Sequence, residues 1–240
     1  MQLLAATRNR HKLGELRAIL GASFEVLGLD ALAGAGDVVE DELTFAGNAA
    51  KKVVWAAQLA GGRLLALADD SGLEVDALGG APGVRSARYA QEAGGPRPTD
   101  AQNNARLLRA LAGVPAEKHA ARFQCVIAVA GPHSLAAAAQ EAGVPCGRRG
   151  EWMVALCAGT CEGRLLREPR GAGGFGYDPL FVPAGHERTF AELGEDVKNV
   201  ISHRARAMVR AKALLEAVAR ARGAARLSSG ESTVVKSEKT

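Results

Sequence analysis

Two adjacent carboxylates, Asp69 and Asp70, follow the apolar run LLALA at residues 64–68. Neighbouring carboxylates repel each other, and removing them from water costs free energy unless a cation, hydrogen bonds or solvent compensates. The apolar run predicts a buried strand, so the doublet is expected at the end of that strand. Either water solvates both carboxylates or a positive group binds them.

A second acidic cluster, Glu40, Asp41 and Glu42, precedes a predicted helix. Carboxylates on loops at the same end of a sheet can converge on Mg²⁺, which takes one or two carboxylates together with water and phosphate oxygens. One carboxylate could also activate a water molecule. The alternative is that the cluster only favours the N-terminus of the following helix.

The segment TRNRHK, residues 7–12, places polar and basic side chains where a short strand turns into a helix. Free backbone N–H groups and the positive end of the helix dipole suit an anion there, and Lys12 adds a full charge. Phosphate is the natural ligand, and an ordinary capped surface helix is the alternative. The chain has no Walker A pattern, which excludes a P-loop protein.

The segment GAGGFGYDPLF, residues 171–181, formally contains the pattern G-x-G-x-x-G. Pro179 follows too soon for these glycines to open a dinucleotide-binding helix. The glycines instead predict a loop that offers Phe175, Tyr177 and Asp178 to a flat ligand. A glycine turn that feeds a strand is the alternative.

The segment VKNVISHRARA, residues 197–207, groups Lys198, His203 and Arg204 around the start of the last helix. Three donors near a helix N-terminus suit an oxygen-rich group such as a phosphate or a ring carbonyl. A basic cluster on the surface is the alternative. A serine hydrolase is set aside, because the pattern G-x-S-x-G is absent.

Strand and helix patterns alternate through the first half of the chain and place these segments at turns. This alternation favours crossover units and a mainly parallel central sheet. Residues 133–152 match neither period. An amphipathic helix is predicted over residues 202–221, and the polar residues 222–240 are predicted to be disordered.

Composition points to one Ala/Leu/Val-rich soluble domain, with 48% hydrophobic and 4% aromatic residues. The net charge is +4, and residues 220–240 alone hold five basic and two acidic residues, so the body is nearly neutral. A nucleic-acid partner is disfavoured, because no basic stretch is interleaved with aromatic residues.

No apolar run could span a bilayer, and the four cysteines lack C-x-x-C spacing. We therefore expect a cytoplasmic protein in which Cys157 and Cys161 are buried hydrophobic residues rather than metal ligands.

Four motifs, in their order and separations, closely resemble those of the Ham1 family, the inosine triphosphate or non-canonical purine nucleoside triphosphate pyrophosphatases. The motifs are TRNRHK, DDSGLEVDALGGAPGVRSARY, EPRGAGGFGYDPLF and KNVISHRARA. The resemblance implies an α/β fold with an elongated central mixed sheet flanked by helices, and two lobes with a cleft between them. It implies one domain over residues 1–221, followed by the tail at 222–240.

The resemblance also implies an activity: hydrolysis of ITP, dITP and XTP to the monophosphate and pyrophosphate, with Mg²⁺ as cofactor, by a homodimer. Asp70 would be the general base, and Glu40 and Asp70 would bind Mg²⁺. The cation would then offset the repulsion within the doublet. Substrate contacts are implied for Thr7, Arg8, Asn9, Arg10, His11, Lys12, Ser71, Phe175, Gly176, Tyr177, Asp178, Lys198, His203 and Arg204.

The chain departs from the family pattern at about residues 133–152, where an insertion is predicted, and in its tail. Two other functions stay open. One is a Maf-type pyrophosphatase that acts on modified pyrimidine nucleotides. The other is a sensor that binds ITP without cleaving it.

Overall fold

The computed structural model describes residues 1–32, 36 and 38–230, with side chains up to residue 224. A seven-stranded sheet has the order β2-β1-β3-β4-β6-β5, and β7 pairs with β6. The strands are, in chain order, β1 (Gln2–Ala5), β2 (Glu25–Leu27), β3 (Leu65–Val75), β4 (Ala120–Gly131), β5 (Cys146–Arg149), β6 (Trp152–Leu165) and β7 (Phe181–Pro183).

The sheet is mixed, which confirms the predicted α/β class. Only β1 pairs in parallel, with β2 on one side and β3 on the other. The other four pairings are antiparallel. The sequence-based expectation of a mainly parallel sheet is therefore wrong, because the long strands β3, β4 and β6 run back along one another.

Six α-helices cover the described part of the chain, and they pack on both faces of the sheet. The helices are α1 (Arg10–Leu20), α2 (Phe45–Leu59), α3 (Asp100–Ala110), α4 (Leu135–Glu141), α5 (Phe190–Ile201) and α6 (His203–Gly230). One core cluster joins α1, α4 and α6 to the face that carries Leu65 and Leu67, and a second joins α2 to the face that carries Ala66 and Ala68. A third cluster, around Phe123, fills the region near α3 and α5.

Residues 133–152, which matched neither period, form α4 and the edge strand β5. These elements are short and joined by turns in which Gly143 and Gly150 have positive φ, so neither element is long enough to display a clear period. That this stretch is an insertion relative to the family remains a prediction.

The C-terminal helix α6 is capped by Ser202, whose Oγ accepts a hydrogen bond from Ala205 N at 3.2 Å. It continues to Gly230, so the predicted tail boundary at 222 lies too early in the chain. The rest of the predicted tail, residues 231–240, lies outside the described residues. Within the described part of the chain, no helix is both long and apolar enough to cross a membrane.

Candidate active site

The carboxylate doublet lies inside β3, just past the end of its parallel neighbour. The β1–β3 ladder ends at the pair Ala5 and Leu67, while β4 continues to pair with β3 as far as Val75. The expectation that Asp69 and Asp70 end a strand is therefore wrong, because antiparallel pairing with β4 keeps the chain extended beyond them. The doublet thus lies beyond the last β1 pair, and both aspartates line a cavity.

Strand geometry separates the two carboxylates. Successive side chains of a strand point to opposite faces, so Asp69 follows Leu65 and Leu67 towards α1 and α6, whereas Asp70 follows the alanines towards α2. The two carboxylates point to opposite faces and have different cationic partners, and both facts reduce the repulsion expected within the doublet. Each carboxylate has its own set of cations.

A cavity of about 550 Å³ opens over the doublet and gathers nearly all of the sequence-predicted site residues. Arg10 is the exception, because it lines a neighbouring cavity of about 200 Å³ between α1 and α5. The predicted residues around the larger cavity are Thr7, Arg8, Asn9, His11, Lys12, Glu40, Asp70, Ser71, Phe175, Gly176, Tyr177, Asp178, Lys198, His203 and Arg204.

Asp69 is a buried counter-ion that ties α1 to α6. It forms ion pairs with Lys12 and with Arg204, whose Nε donates at 2.8 Å. Ser71 Oγ donates to it at 2.9 Å and Cys125 Sγ at 3.2 Å. Burial alone would raise the pKa of Asp69, but the charges of Arg204 and Lys12 outweigh burial and hold that pKa well below its usual range. The low pKa favours the charged form of Asp69, which suits a structural role more than that of a base.

A buried ion network continues from Arg204 to the glycine-rich loop. Glu15 of α1 pairs with Arg204 and lies 3.0 Å from Lys198 Nζ. Lys198 in turn lies 2.5 Å from Asp178, and the same Asp178 oxygen accepts a hydrogen bond from the backbone N–H of Phe175 at 2.9 Å. Burial raises the pKa of Asp178 in spite of the neighbouring lysine. The network fixes two of the predicted donors and the Phe175 backbone relative to one another.

Asp70 faces a different cation, Lys52 of α2. The Lys52 ammonium donates to Asp70 Oδ1 at 2.8 Å and to Glu40 Oε1 at 3.0 Å, so the two carboxylates are close neighbours. The other oxygen, Asp70 Oδ2, is buried and has no hydrogen-bond partner among the described residues. Burial raises the pKa of Asp70, although the charge of Lys52 opposes this effect. At Glu40 the balance is reversed: burial would raise its pKa, but Lys52 lowers it below the usual value.

The N-terminus of α1 is capped by its own side chain. Asn9 Oδ1 accepts hydrogen bonds from the backbone N–H groups of His11 at 3.0 Å and Lys12 at 3.1 Å. Thr7 Oγ1 accepts one from Asn9 N at 3.1 Å, and Arg8 donates to a backbone oxygen in the loop that follows β2. Two of the N–H groups expected to be free for an anion are thus already bonded, while the basic side chains still line the cavity.

His203 is buried with its ring stacked on Phe123 at a centroid distance of 4.7 Å. Burial and the charges of Arg204 and Lys198 keep its pKa well below the usual value, so the ring is neutral near pH 7. Its Nδ1 has no hydrogen-bond partner in the part of the chain that the structure describes. A neutral imidazole in this position can offer one N–H to a ligand.

The two aromatic residues of the glycine-rich loop differ in their surroundings. Tyr177 is buried, and its hydroxyl donates to Ser86 O at 2.9 Å. Phe175 is half-buried, and its ring stacks on that of His11. Only Phe175 therefore offers an aromatic face, whereas Tyr177 anchors the loop.

Comparison with known proteins decides the family. The model of the Ham1 family matches residues 3–214. The chain belongs to the Ham1 family. A protein of Desulforamulus reducens named dITP/XTP pyrophosphatase is 47% identical over 216 residues, which cover 90% of this chain and 96% of that protein. One of the same name from Pseudomonas aeruginosa is 47% identical over 210 residues, 86% of this chain and 93% of that protein.

Solved Ham1 structures share the fold. A HAM1 protein from Coxiella burnetii superposes with a TM-score of 0.73 at 36% identity, covering 90% of this chain and 98% of that one. The Staphylococcus aureus Ham1 protein gives 0.71 at 33% identity, with the same coverage. The fold of this Ham1 chain is thus one already seen in solved structures of its family, while the arrangement of two lobes around a cleft stays a prediction.

Two site residues of this Ham1 protein, Lys52 and Glu15, escaped the sequence analysis. A signal for Lys52 was present, because it shares the buried face of α2 with Ala49, Val53 and Ala56 at helical spacing. A lysine on such a face needs a buried acidic partner. Glu15 had a weaker signal, since it lies three residues after Lys12 on α1.

Two cysteines of this Ham1 chain, at positions 157 and 161, differ from Cys125, which donates to Asp69. Cys157 and Cys161 are buried and unpaired, as expected of small hydrophobic residues. Burial raises the pKa of Cys157 to about 12 and that of Cys161 to about 11. Among the described residues, no group of three or more His, Cys, Asp or Glu side chains could hold a metal ion.

Proposed function

We propose that this Ham1 protein hydrolyses ITP, dITP and XTP to the corresponding monophosphate and pyrophosphate, and so removes non-canonical purine nucleotides. The names of its relatives support this substrate class. The observation that carries the proposal is the carboxylate of Asp70, which lines the cavity of about 550 Å³. Its buried Oδ2 has no hydrogen-bond partner among the described residues. The basic side chains of residues 7–12 line the same cavity.

Mg²⁺ is the proposed cofactor, and the donor set fits it. Asp70 and Glu40 are hard oxygen ligands next to each other, and Asp70 Oδ2 is a buried acceptor that no hydrogen bond satisfies. Two carboxylates suit Mg²⁺, which usually completes its shell with water and substrate phosphates. When bound, the ion would neutralise charge on the phosphates and on the departing pyrophosphate.

The proposed reaction is attack of water on the α-phosphorus. Asp70 takes the proton of that water, and burial makes it a stronger base than an exposed aspartate because it raises the pKa. Lys52 orients the Asp70 carboxylate through Oδ1 and leaves Oδ2 for the water or the cation. Lys12 and its neighbours hold the triphosphate, while Asp69 keeps Lys12 in place.

Recognition of the base is assigned to Lys198, His203 and Arg204. The 6-oxo group of hypoxanthine or xanthine accepts hydrogen bonds from these donors. The 6-amino group of adenine is itself a donor, so it and the protein donor that faces it would both stay unpaired. This mismatch costs about 1 to 3 kcal/mol of binding free energy. Arg204 already donates from Nε, Nη1 and Nη2 to protein acceptors, which orients its remaining N–H groups. Neutral His203 contributes one further donor.

We also propose that the protein acts as a cytoplasmic homodimer with neither a nucleic-acid nor a membrane partner. The Ham1 resemblance supports the dimer, and the nearly neutral body supports the absence of a nucleic-acid partner. Size-exclusion chromatography with light scattering tests the dimer directly. A monomer at micromolar concentration would contradict it.

Product analysis in H₂¹⁸O tests the reaction. Incubation with ITP and Mg²⁺ should release IMP and pyrophosphate, with the label in IMP, because water attacks the α-phosphorus. Release of IDP and phosphate would overturn the proposed bond. Binding of ITP without any cleavage would instead identify a sensor.

A further inference from the structure

His11 and Phe175 form an aromatic pair at the boundary between the two cavities. Their ring centroids lie 5.4 Å apart, with an angle of 23° between the planes. Both residues line the cavity of about 550 Å³ and the smaller one of about 200 Å³. His11 is exposed on the first turn of α1, and Phe175 comes from the glycine-rich loop.

The backbone of His11 does not favour the phosphate contact that the family resemblance implied for it. Its N–H donates to Asn9 Oδ1 at 3.0 Å and is therefore not free for an anion. The imidazole is instead turned to the face of Phe175. What the His11 side chain offers to the cavity is thus a flat surface.

Phe175 is anchored through its backbone and has a cation over its ring. Its N–H is held by Asp178, while Gly174 and Gly176 on either side have positive φ and no bulk. Lys198 Nζ lies 4.2 Å from the centroid of the Phe175 ring. Lys198 therefore lies over the ring of Phe175, close to any ligand that contacts this residue.

We infer that the purine ring of the substrate inserts between the rings of His11 and Phe175, so that His11 is a stacking residue for the base. Carbon atoms in contact lie about 3.5 Å apart, so an inserted ring needs about 7 Å between the two side chains. The ring centroids are now 5.4 Å apart, so the two rings must separate before a base can insert between them. The inference rests on the proposed function, since it names the contact that the nucleobase makes at the same site.

Three histidine variants test this role with ITP and Mg²⁺. His11→Ala should lower kcat/KM about 5- to 150-fold, mainly through KM, which is the range that loss of one base–aromatic stack produces. His11→Phe should restore kcat/KM to within about 2-fold of the wild type, because phenylalanine keeps the flat surface without a charge or a polar N–H. His133→Ala, at an exposed histidine between β4 and α4, is the matched control and should leave the kinetics unchanged.

Inhibition by inorganic tripolyphosphate separates the base from the phosphates. If His11 stacks on the base, the inhibition constant is the same for the wild type, His11→Ala and His11→Phe. If His11 holds the triphosphate, the inhibition weakens in both variants and His11→Phe fails to rescue turnover. That second result would overturn the inference, as would unchanged kinetics in His11→Ala.

Calorimetric titration with ITP without Mg²⁺ distinguishes this inference from the proposed function. A wild type that binds ITP in this titration but does not cleave it after Mg²⁺ is added would refute the hydrolase, while the affinities of His11→Ala and His11→Phe would still decide the stacking role. A wild type that binds no purine nucleotide would refute both.

Discussion

Replacing Glu15 by alanine tests the buried ion network most severely. Glu15 is buried between Arg204 and Lys198, and both of these cations are themselves nearly inaccessible to solvent. In the variant, each cation retains one acidic partner, Asp69 for Arg204 and Asp178 for Lys198. The net charge of the buried cluster becomes more positive by one, with no solvent to compensate.

The expected loss of stability is large. Removing one partner of a buried ion pair costs about 3 to 5 kcal/mol, and the retained partners place Glu15→Ala near the lower end of that range. For a chain of this length, each kcal/mol shifts Tm by about 2 to 4 °C, so Tm should fall by about 6 to 12 °C. KM for ITP should rise as well, because Lys198 and Arg204 lose their common anchor.

Glu141→Ala is the matched control for the thermal measurement. Glu141 pairs with Arg220 at 2.7 Å, but the two side chains are 58% and 62% exposed, and such a pair contributes less than about 1 kcal/mol. Scanning calorimetry of the wild type and both variants at pH 7 gives the comparison. If Glu15→Ala lowers Tm no more than Glu141→Ala does, the network is solvated and does not order the site.

Three further changes probe the catalytic carboxylate and its supports. Asp70→Asn should lower kcat by about 100-fold or more while circular dichroism stays unchanged, because an amide cannot accept the proton; near-normal turnover would refute its role. Lys52→Met removes a charge that lowers the pKa of Asp70, so the acid limb of kcat/KM against pH should move to higher pH; an unmoved limb would contradict the pairing. A Cβ at Gly159 of β6 would lie 2.3 Å from His203 O, so Gly159→Ala should displace the start of α6 and lower kcat/KM for ITP. Gly147→Ala is the control and should leave kcat/KM unchanged, because a Cβ at Gly147 meets open space. Equal kinetics in the two variants would show that the close approach of β6 to α6 is not needed.

The sequence identified the segments of the site better than the contacts within it. The doublet and the four motifs predicted which stretches meet, because each carries polar or basic residues at a turn or a strand end. The cations that bind Asp69 and Asp70 could not be predicted from the sequence in the same way. Lys52 reaches Asp70 from a helix on one face, and Arg204 reaches Asp69 across more than a hundred residues on the other.

The strand boundaries show a similar limit. The apolar run before Asp69 predicted the first half of β3, but the second half is extended because β4 pairs with it. Such long-range pairing leaves only a weak local signal in polar residues. The helix α6 likewise continues beyond residue 222, where the polar composition had predicted its end.

The measurement that tests the central claim most directly is a substrate panel with the wild-type protein, run with and without Mg²⁺. We expect kcat/KM for dITP and XTP to exceed that for dATP by about 5- to 150-fold, the range set by one unpaired donor at the 6-position, and activity to vanish without the cation. A preference for dTTP or UTP would contradict the account and indicate a Maf-type pyrophosphatase.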